Sequence, residues 1–253
     1  MSLLRSWAPP YHQEPSTDAS RKASDFAQEN AMKGSVPLLL SVLGGYVDTS
    51  GFLALQGLFT AHVTGNFVTL AAALVMGTSG VVAKLLALPV FCVVVAIARV
   101  VGNLLGSRQT LRFRAMMGLQ LMLLIAGSFL AVRFGPFPDG DARPAIMTGM
   151  VLVCAMAVQN ALHRVHFTGF PPSTLMTGNT TQAVLDLVDM MWPGTDRATT
   201  WIRLQRLVMS VAGFAVGCGA AALLFWLTGM WCFVVPPLLV VAALAVPRAD
   251  APG

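Results

Sequence analysis

The chain is laid out as long apolar runs separated by short polar breaks. The runs cover residues 36–56, 64–76, 82–105, 115–132, 145–162, 177–191, 207–227 and 230–246. Six are long enough to cross about 30 Å of hydrocarbon as helices that rise about 1.5 Å per residue. Two are not. Residues 64–76 give only about 20 Å of helix, and residues 177–191 are similar and carry Asp186 and Asp189. The count is therefore either eight spans or six spans with two segments that dip in and return.

Placement of the basic residues decides between them, because cytoplasmic loops are enriched in Lys and Arg. The basic clusters lie at 21–33, 108–114 and 197–206 and at Arg248. Eight crossings with the N-terminus inside would put 108–114 outside. Six crossings with two returning segments put every cluster on the cytoplasmic side. The loops then left outside, near 77–80, 134–143 and 228–229, have little net positive charge, since Arg133 and Arg143 are offset by Asp139 and Asp141. The expected fold is all-α, with about six transmembrane helices plus two half-helices and both termini cytoplasmic.

The two short segments open on the same triplet, Thr64-Gly65-Asn66 and Thr177-Gly178-Asn179. Other anchors keep nearly the same spacing around them. Asp48 precedes Gly65 as Asn160 precedes Gly178, and Gly102 and Gly106 follow as Gly213 and Gly217 do. This predicts repeat 1 over about 36–133 and repeat 2 over about 144–246. Three crossings per copy would invert the second copy relative to the first, an arrangement common in transporters. The whole polytopic domain is 35–246, preceded by a polar tail over 1–34, read as mostly disordered with a short helix near 24–33, and followed by a short tail over 247–253.

A half-helix that begins at membrane depth presents free N–H groups and a positive dipole end. Thr64 and Thr177 are expected to cap those ends through their hydroxyls, Gly65 and Gly178 to permit close approach, and Asn66 and Asn179 to supply donors and acceptors. Asp48 is the one acid deep in a long span, where a carboxylate is costly and marks a candidate site. It is expected to be a coupling group or a structural partner of Arg99. Its counterpart is the neutral Asn160, beside Gln159. His62, two residues before Thr64, is a further candidate, although a lone histidine is more often a packed one. Arg99 is the candidate counter-charge, to Asp48 or to an anionic substrate. Gly102–Gly106 and Gly213–Gly217 have the spacing of close helix contacts.

Composition narrows the classes further. Of the 253 residues 56% are apolar and 11% charged, against about 25% charged in soluble domains. From residue 36 to 106 only Asp48, Lys84 and Arg99 carry charge. The net charge of +5 belongs to loops that orient a membrane protein, and no basic stripe suggests nucleic acid. Cys92, Cys154, Cys218 and Cys232 each sit inside an apolar run, which fits packing and neither a disulfide framework nor a zinc site. No cofactor or metal is expected.

The motifs Gly45-Tyr46-Val47-Asp48, Phe59-Thr60-Ala61-His62-Val63-Thr64-Gly65-Asn66, Gln159-Asn160-Ala161 and Thr177-Gly178-Asn179 together resemble those of the bacterial YoaK-like membrane proteins, a family labelled as a domain of unknown function. The resemblance runs from about residue 36 to 246. Thr49 and Val63 depart from the usual Ala and Met, and Arg164 and residues 168–172 are also less typical. It implies a multi-pass protein of the bacterial inner membrane and supplies no activity.

Function is thus read from the residues. The leading expectation is a secondary transporter or exporter of a small solute, with Asp48 coupling a proton or monovalent cation and Asp48, His62, Thr64, Gly65, Asn66, Gln159, Asn160, Thr177, Gly178 and Asn179 forming the solute site. The alternatives are a passive channel or a structural membrane subunit. An enzyme is not expected: Asp48 and His62 could form an acid–base pair, but the sequence contains neither His-Glu-x-x-His nor a Gly-x-Ser-x-Gly elbow.

Overall fold

The computed structural model describes residues 17–106 and 108–246, with side chains from residue 34 onward. The described chain is all-α. Its helices are α1 (Thr17–Ala54), α2 (Asn66–Met76), α3 (Val81–Leu104), α4 (Gln109–Phe134), α5 (Arg143–His166), α6 (Met176–Asp189), α7 (Arg197–Thr228) and α8 (Val235–Ala245). A short 3-10 turn leads into α2, and another, Gly229–Val234, leads into α8. Most of the polar tail expected over 1–34, and all of that over 247–253, lies outside the residues whose side chains are described. From Thr17 the backbone is helical and runs straight into the first apolar segment.

Five stretches are long and apolar enough to cross a membrane: Gly34–Ala54, Val81–Leu104, Gln109–Phe134, Arg143–His166 and Arg197–Ala245. The last has 49 residues, far more than the ~20 one crossing needs. It is broken at Gly229, whose φ of 56° suits a residue without Cβ. The chain turns back there. Met230 lies against Gly135 at the end of α4, and Phe233 accepts from Ser128, two turns deeper in the same helix. The phenol of Tyr46 donates to the Cys232 carbonyl at 2.8 Å and fixes the returning segment to α1.

Contacts between helices give their directions. Leu38 meets Gly213 and Val42 meets Gly217, so α1 and α7 run the same way. Gln159 bonds the Leu40 carbonyl while Leu58 packs on Gly149, so α5 runs against α1. Gln120 meets Gln159 and Gly127 meets Leu152, so α4 and α5 are antiparallel. The starts of α3 and α5 are joined because the Asp141 carboxylate accepts from the N–H groups of Gly80, Val81 and Val82 at 2.8–3.3 Å. A carboxylate there satisfies orphan donors and the helix dipole together.

These directions gather one end of the molecule around arginines. Arg112 lies by the end of α3, Arg203 pairs with Asp186 near the end of α6, and Arg206 sits over Phe170 in the loop after α5. The opposite end is closed by Gln56 bonding the Phe137 carbonyl and by Gly140 against Gly80. Many large apolar side chains on the outer faces, among them Val75, Leu104 and Trp226, are exposed. In a soluble protein such a surface would aggregate; in lipid it is the solvated face.

The two glycine pairs do different things. At Gly217 an added Cβ would fall on the Val42 carbonyl oxygen, and at Gly213 it would lie 2.7 Å from Leu38. Together with Gly45, which faces the Phe214 carbonyl, they let α1 and α7 touch backbone to backbone. Gly102 instead accommodates the Arg112 guanidinium, and Gly106 ends its helix in open space. The shared spacing therefore marks a helix contact in the second half alone.

Candidate functional site

After α1 the chain does not continue outward. Residues 55–62 fold back along the helix, and the acceptor that holds them is Asp48, buried one and a half turns inside α1. Its Oδ1 accepts from the backbone N–H of Thr60 at 2.8 Å, Ala61 at 2.7 Å and His62 at 3.4 Å, with the Thr60 hydroxyl also at 3.4 Å. Successive N–H groups converging on one oxygen make an anion nest. Oδ2 lies 2.7 Å from Nδ1 of His62. The His62 side chain is 34% exposed and that of Asp48 5%, so the imidazole is the outward member of the pair. Its ring meets Phe214 of α7 edge-on, centroids 5.3 Å apart.

The loop is closed a second time by Asn66. Its side-chain amide exchanges two hydrogen bonds with the backbone of Phe59, both 2.8 Å. This is the link from the Phe-Thr-Ala-His stretch to the start of α2.

The second half builds a matching device from weaker parts. Residues 167–175 fold back after α5. Asn160 accepts from the Thr174 hydroxyl at 2.7 Å, and Asn179 donates to the Pro172 carbonyl at 2.8 Å. The separations, 14 and 7 residues, equal those of Asp48–His62 and Phe59–Asn66. Proline has no N–H, so the Asn179 tie has one bond where the Asn66 tie has two. Gln159 reinforces it, donating to the Leu40 carbonyl and to Ser173 while accepting from Gln120. The Ser173 carbonyl lies where a Gly44 Cβ would touch it. Gly44 and Asp48 share a face of α1 one turn apart, about 6 Å, so both folded-back loops converge there.

One family's sequence pattern matches residues 36–246, the entire apolar part of the chain and both loops. The chain belongs to the DUF1275 family, described as a protein of unknown function. No curated protein and no solved structure matches it. As a DUF1275 member it is a multi-pass membrane protein.

Within this DUF1275 chain the triplets are used differently from the expectation. Neither threonine caps a helix. Thr64 lies in the 3-10 turn and Thr177 is already inside α6, so neither hydroxyl stands at the position that faces the free N–H groups. Both threonines are exposed, while Asn66 and Asn179 are buried and tie their loops. Gly65 packs under the Phe59 ring, whereas Gly178 faces open space. Arg99 is not brought to Asp48; it lines a groove between α3 and α5, with Asn160. The polar side of α6 is an anchor: Asp186 is fully buried, receives two bonds from Arg203 at 2.6–2.7 Å and a third from Gln182.

The sequence reading missed Thr60, Ser173, Thr174 and Ser210. The last bridges Ser41 at 3.0 Å and Asn179 at 3.3 Å. A signal for Thr174 lies in the 14-residue spacing, which an alignment of the halves on the triplets hides, because it sets Leu175 opposite His62. At the arginine-rich end Asp196 caps α7; the Thr199 hydroxyl and N–H hold its carboxyl below the usual carboxylate range. Among the described residues no group of acids, histidines and cysteines is arranged to hold a metal.

Proposed function

We propose that this protein is a secondary transporter or exporter of a small solute in the bacterial inner membrane, built of six passes and two half-helices in two inverted repeats. The supporting observation is the pair of folded-back loops. Each is tied to a polar residue inside a long helix at the same two spacings, one approaches from each end of the molecule, and they meet on one face of α1. Irregular backbone at membrane depth is tolerated only when buried in protein or lining a wet cavity. In this reading the Asp48–His62 pair carries the coupling proton or responds to a monovalent cation. The Gln159–Asn160–Ser173–Thr174 cluster provides the neutral half of the solute site. α2 and α6 then move with the loops, since their first turns are tied to them.

Asp48 also supports a second reading. Its Oδ1 is already filled by loop N–H groups, which is what a purely structural staple would look like. A passive channel or structural subunit would retain the staple without needing a titrating partner.

Transport is tested by reconstituting the full chain in liposomes and presenting a chemically diverse mixture of low-mass solutes with and without a pH gradient. Mass spectrometry of the vesicle contents should show one solute class moving faster than in protein-free vesicles and responding to the gradient. Movement indifferent to any gradient points to a channel. No class moving at all defeats both the transporter and the channel and leaves the structural subunit.

Orientation is tested separately. Reporters fused after Gln109 and Gly194 should read cytoplasmic, and those after Ser79 and Asp141 external, because the arginine-rich end belongs inside. An external reading after Gln109 would overturn the six-pass topology.

A further inference from the structure

The α3–α4 pair leaves a gap. The two helices are consecutive and joined by a short connection, yet each packs along α5 and hardly against the other. The space between them, floored by α5, is a groove of about 520 Å³ at the arginine-rich end. It continues into an apolar cleft of about 270 Å³, and the two share Ala98, Gly102, Arg112 and Met116. The cleft is walled by Ile97, Val101 and Leu119 and runs toward the lipid-facing side of the pair.

Three guanidinium groups line the wide end: Arg99 from α3, Arg112 from α4 and Arg164 from α5. No acid lines it. Among the described residues the ion pairs are Asp48–His62 and Asp186–Arg203, so none of these three arginines has a carboxylate. Arg112 reaches the Gly106 carbonyl with one Nη at 3.4 Å, while its Nε is buried with no hydrogen-bond partner. A buried donor left unmade is costly, and three like charges around one groove repel. An anion supplied from outside offsets the repulsion, and a turn of the Arg112 side chain away from Gly102 lets its guanidinium meet that anion. Arginine's planar fork suits a phosphate.

We propose that this groove binds an anionic phospholipid, its phosphate among Arg99, Arg112 and Arg164 and one acyl chain in the apolar cleft. The shape selects an amphiphile: the charged end lies where the arginine-rich loops meet the interface, and the apolar limb opens sideways at membrane depth. Basic pockets between helices are suited to such head groups. Asn160 and Leu175 also line the groove, so the bound lipid lies against the second folded-back loop. The site requires no transport activity.

The test uses the delipidated full chain in neutral detergent. Phosphatidylglycerol, phosphatidylcholine with the same chains, and glycerol 3-phosphate are each titrated, with binding read by native mass spectrometry. Phosphatidylglycerol should bind tightest. Arg99→Gln, Arg112→Gln and Arg164→Gln should each weaken it about fivefold, and together about a hundredfold. Should the triple variant fail to fold, Ala98→Phe carries the test: it fills the cleft, leaves all three charges, and should still weaken phosphatidylglycerol binding severalfold. Equal binding of phosphatidylcholine would overturn the proposal by showing only general lipid contact. Glycerol 3-phosphate binding as tightly as phosphatidylglycerol would overturn it in favour of a free-anion site. Undiminished phosphatidylglycerol binding by the variants would place the lipid elsewhere and overturn it as well.

Discussion

Replacing Asp48 with alanine should lower the stability of the protein by about 3–5 kcal/mol, the scale of leaving several buried N–H donors without their acceptor. The loss has a definite origin. Thr60, Ala61 and His62 would keep their N–H groups at membrane depth with no acceptor, and each unmet donor costs about 1–3 kcal/mol. Asp48→Asn should behave differently. Its Oδ1 can still accept from the loop, so most of the stability should remain, while the group that holds a charge beside His62 is gone. Thermal unfolding in detergent separates the two variants. If Asp48→Asn is as unstable as Asp48→Ala, the charge itself holds the loop and the staple reading gains. If Asp48→Asn stays folded and gradient-driven flux vanishes, the coupling role is supported. Adding Arg99→Gln to Asp48→Asn should give no rescue, because the arginine lies in another groove and the effects of distant sites add.

Gly217→Ala should be at least as damaging, although it adds one methyl group. Its Cβ would meet the Val42 carbonyl oxygen, a backbone atom with no rotamer to escape into. Relief requires separating α1 from α7, so the cost should be about 3 kcal/mol or more, at or beyond the upper end for overpacking. Gly118→Ala is the control. No neighbour stands within 4 Å of its added Cβ, and removing a glycine from a helix interior should stabilise by about 0.5–1 kcal/mol. Thermal midpoints of the two purified variants should move in opposite directions. A Gly217→Ala protein as stable as the parent would mean that the α1–α7 contact is not as close as described.

The helices and the special status of the two short segments were legible because apolar run length reports directly on lipid burial. The gathering of arginines at one end was legible for the same kind of reason, since charge placement follows the membrane. The depth of Asp48 could be read too, but not its partners. Those depend on how residues 55–62 fold back, and a loop conformation leaves no periodic trace. Hence the Asp48–His62 pair stood only as one possible pairing, and Arg99 looked like the natural counter-charge. The helix-capping role given to Thr64 and Thr177 failed because a triplet fixes composition and not the residue at which the helix begins. The offset between halves also changes by one residue between helix and triplet, from 112 for Asp48 and Asn160 to 113 for Asn66 and Asn179, which hid the equivalence of His62 and Thr174.

The seat of α1 on α7 also sets an order of events during synthesis. Ser41 and Ser210, bonded in the finished protein, are 169 positions apart. α1 therefore waits in the bilayer, its glycine face open to lipid, until α7 has been made. A nascent chain stalled before Gly213 would hold α1 with its glycine face unpartnered.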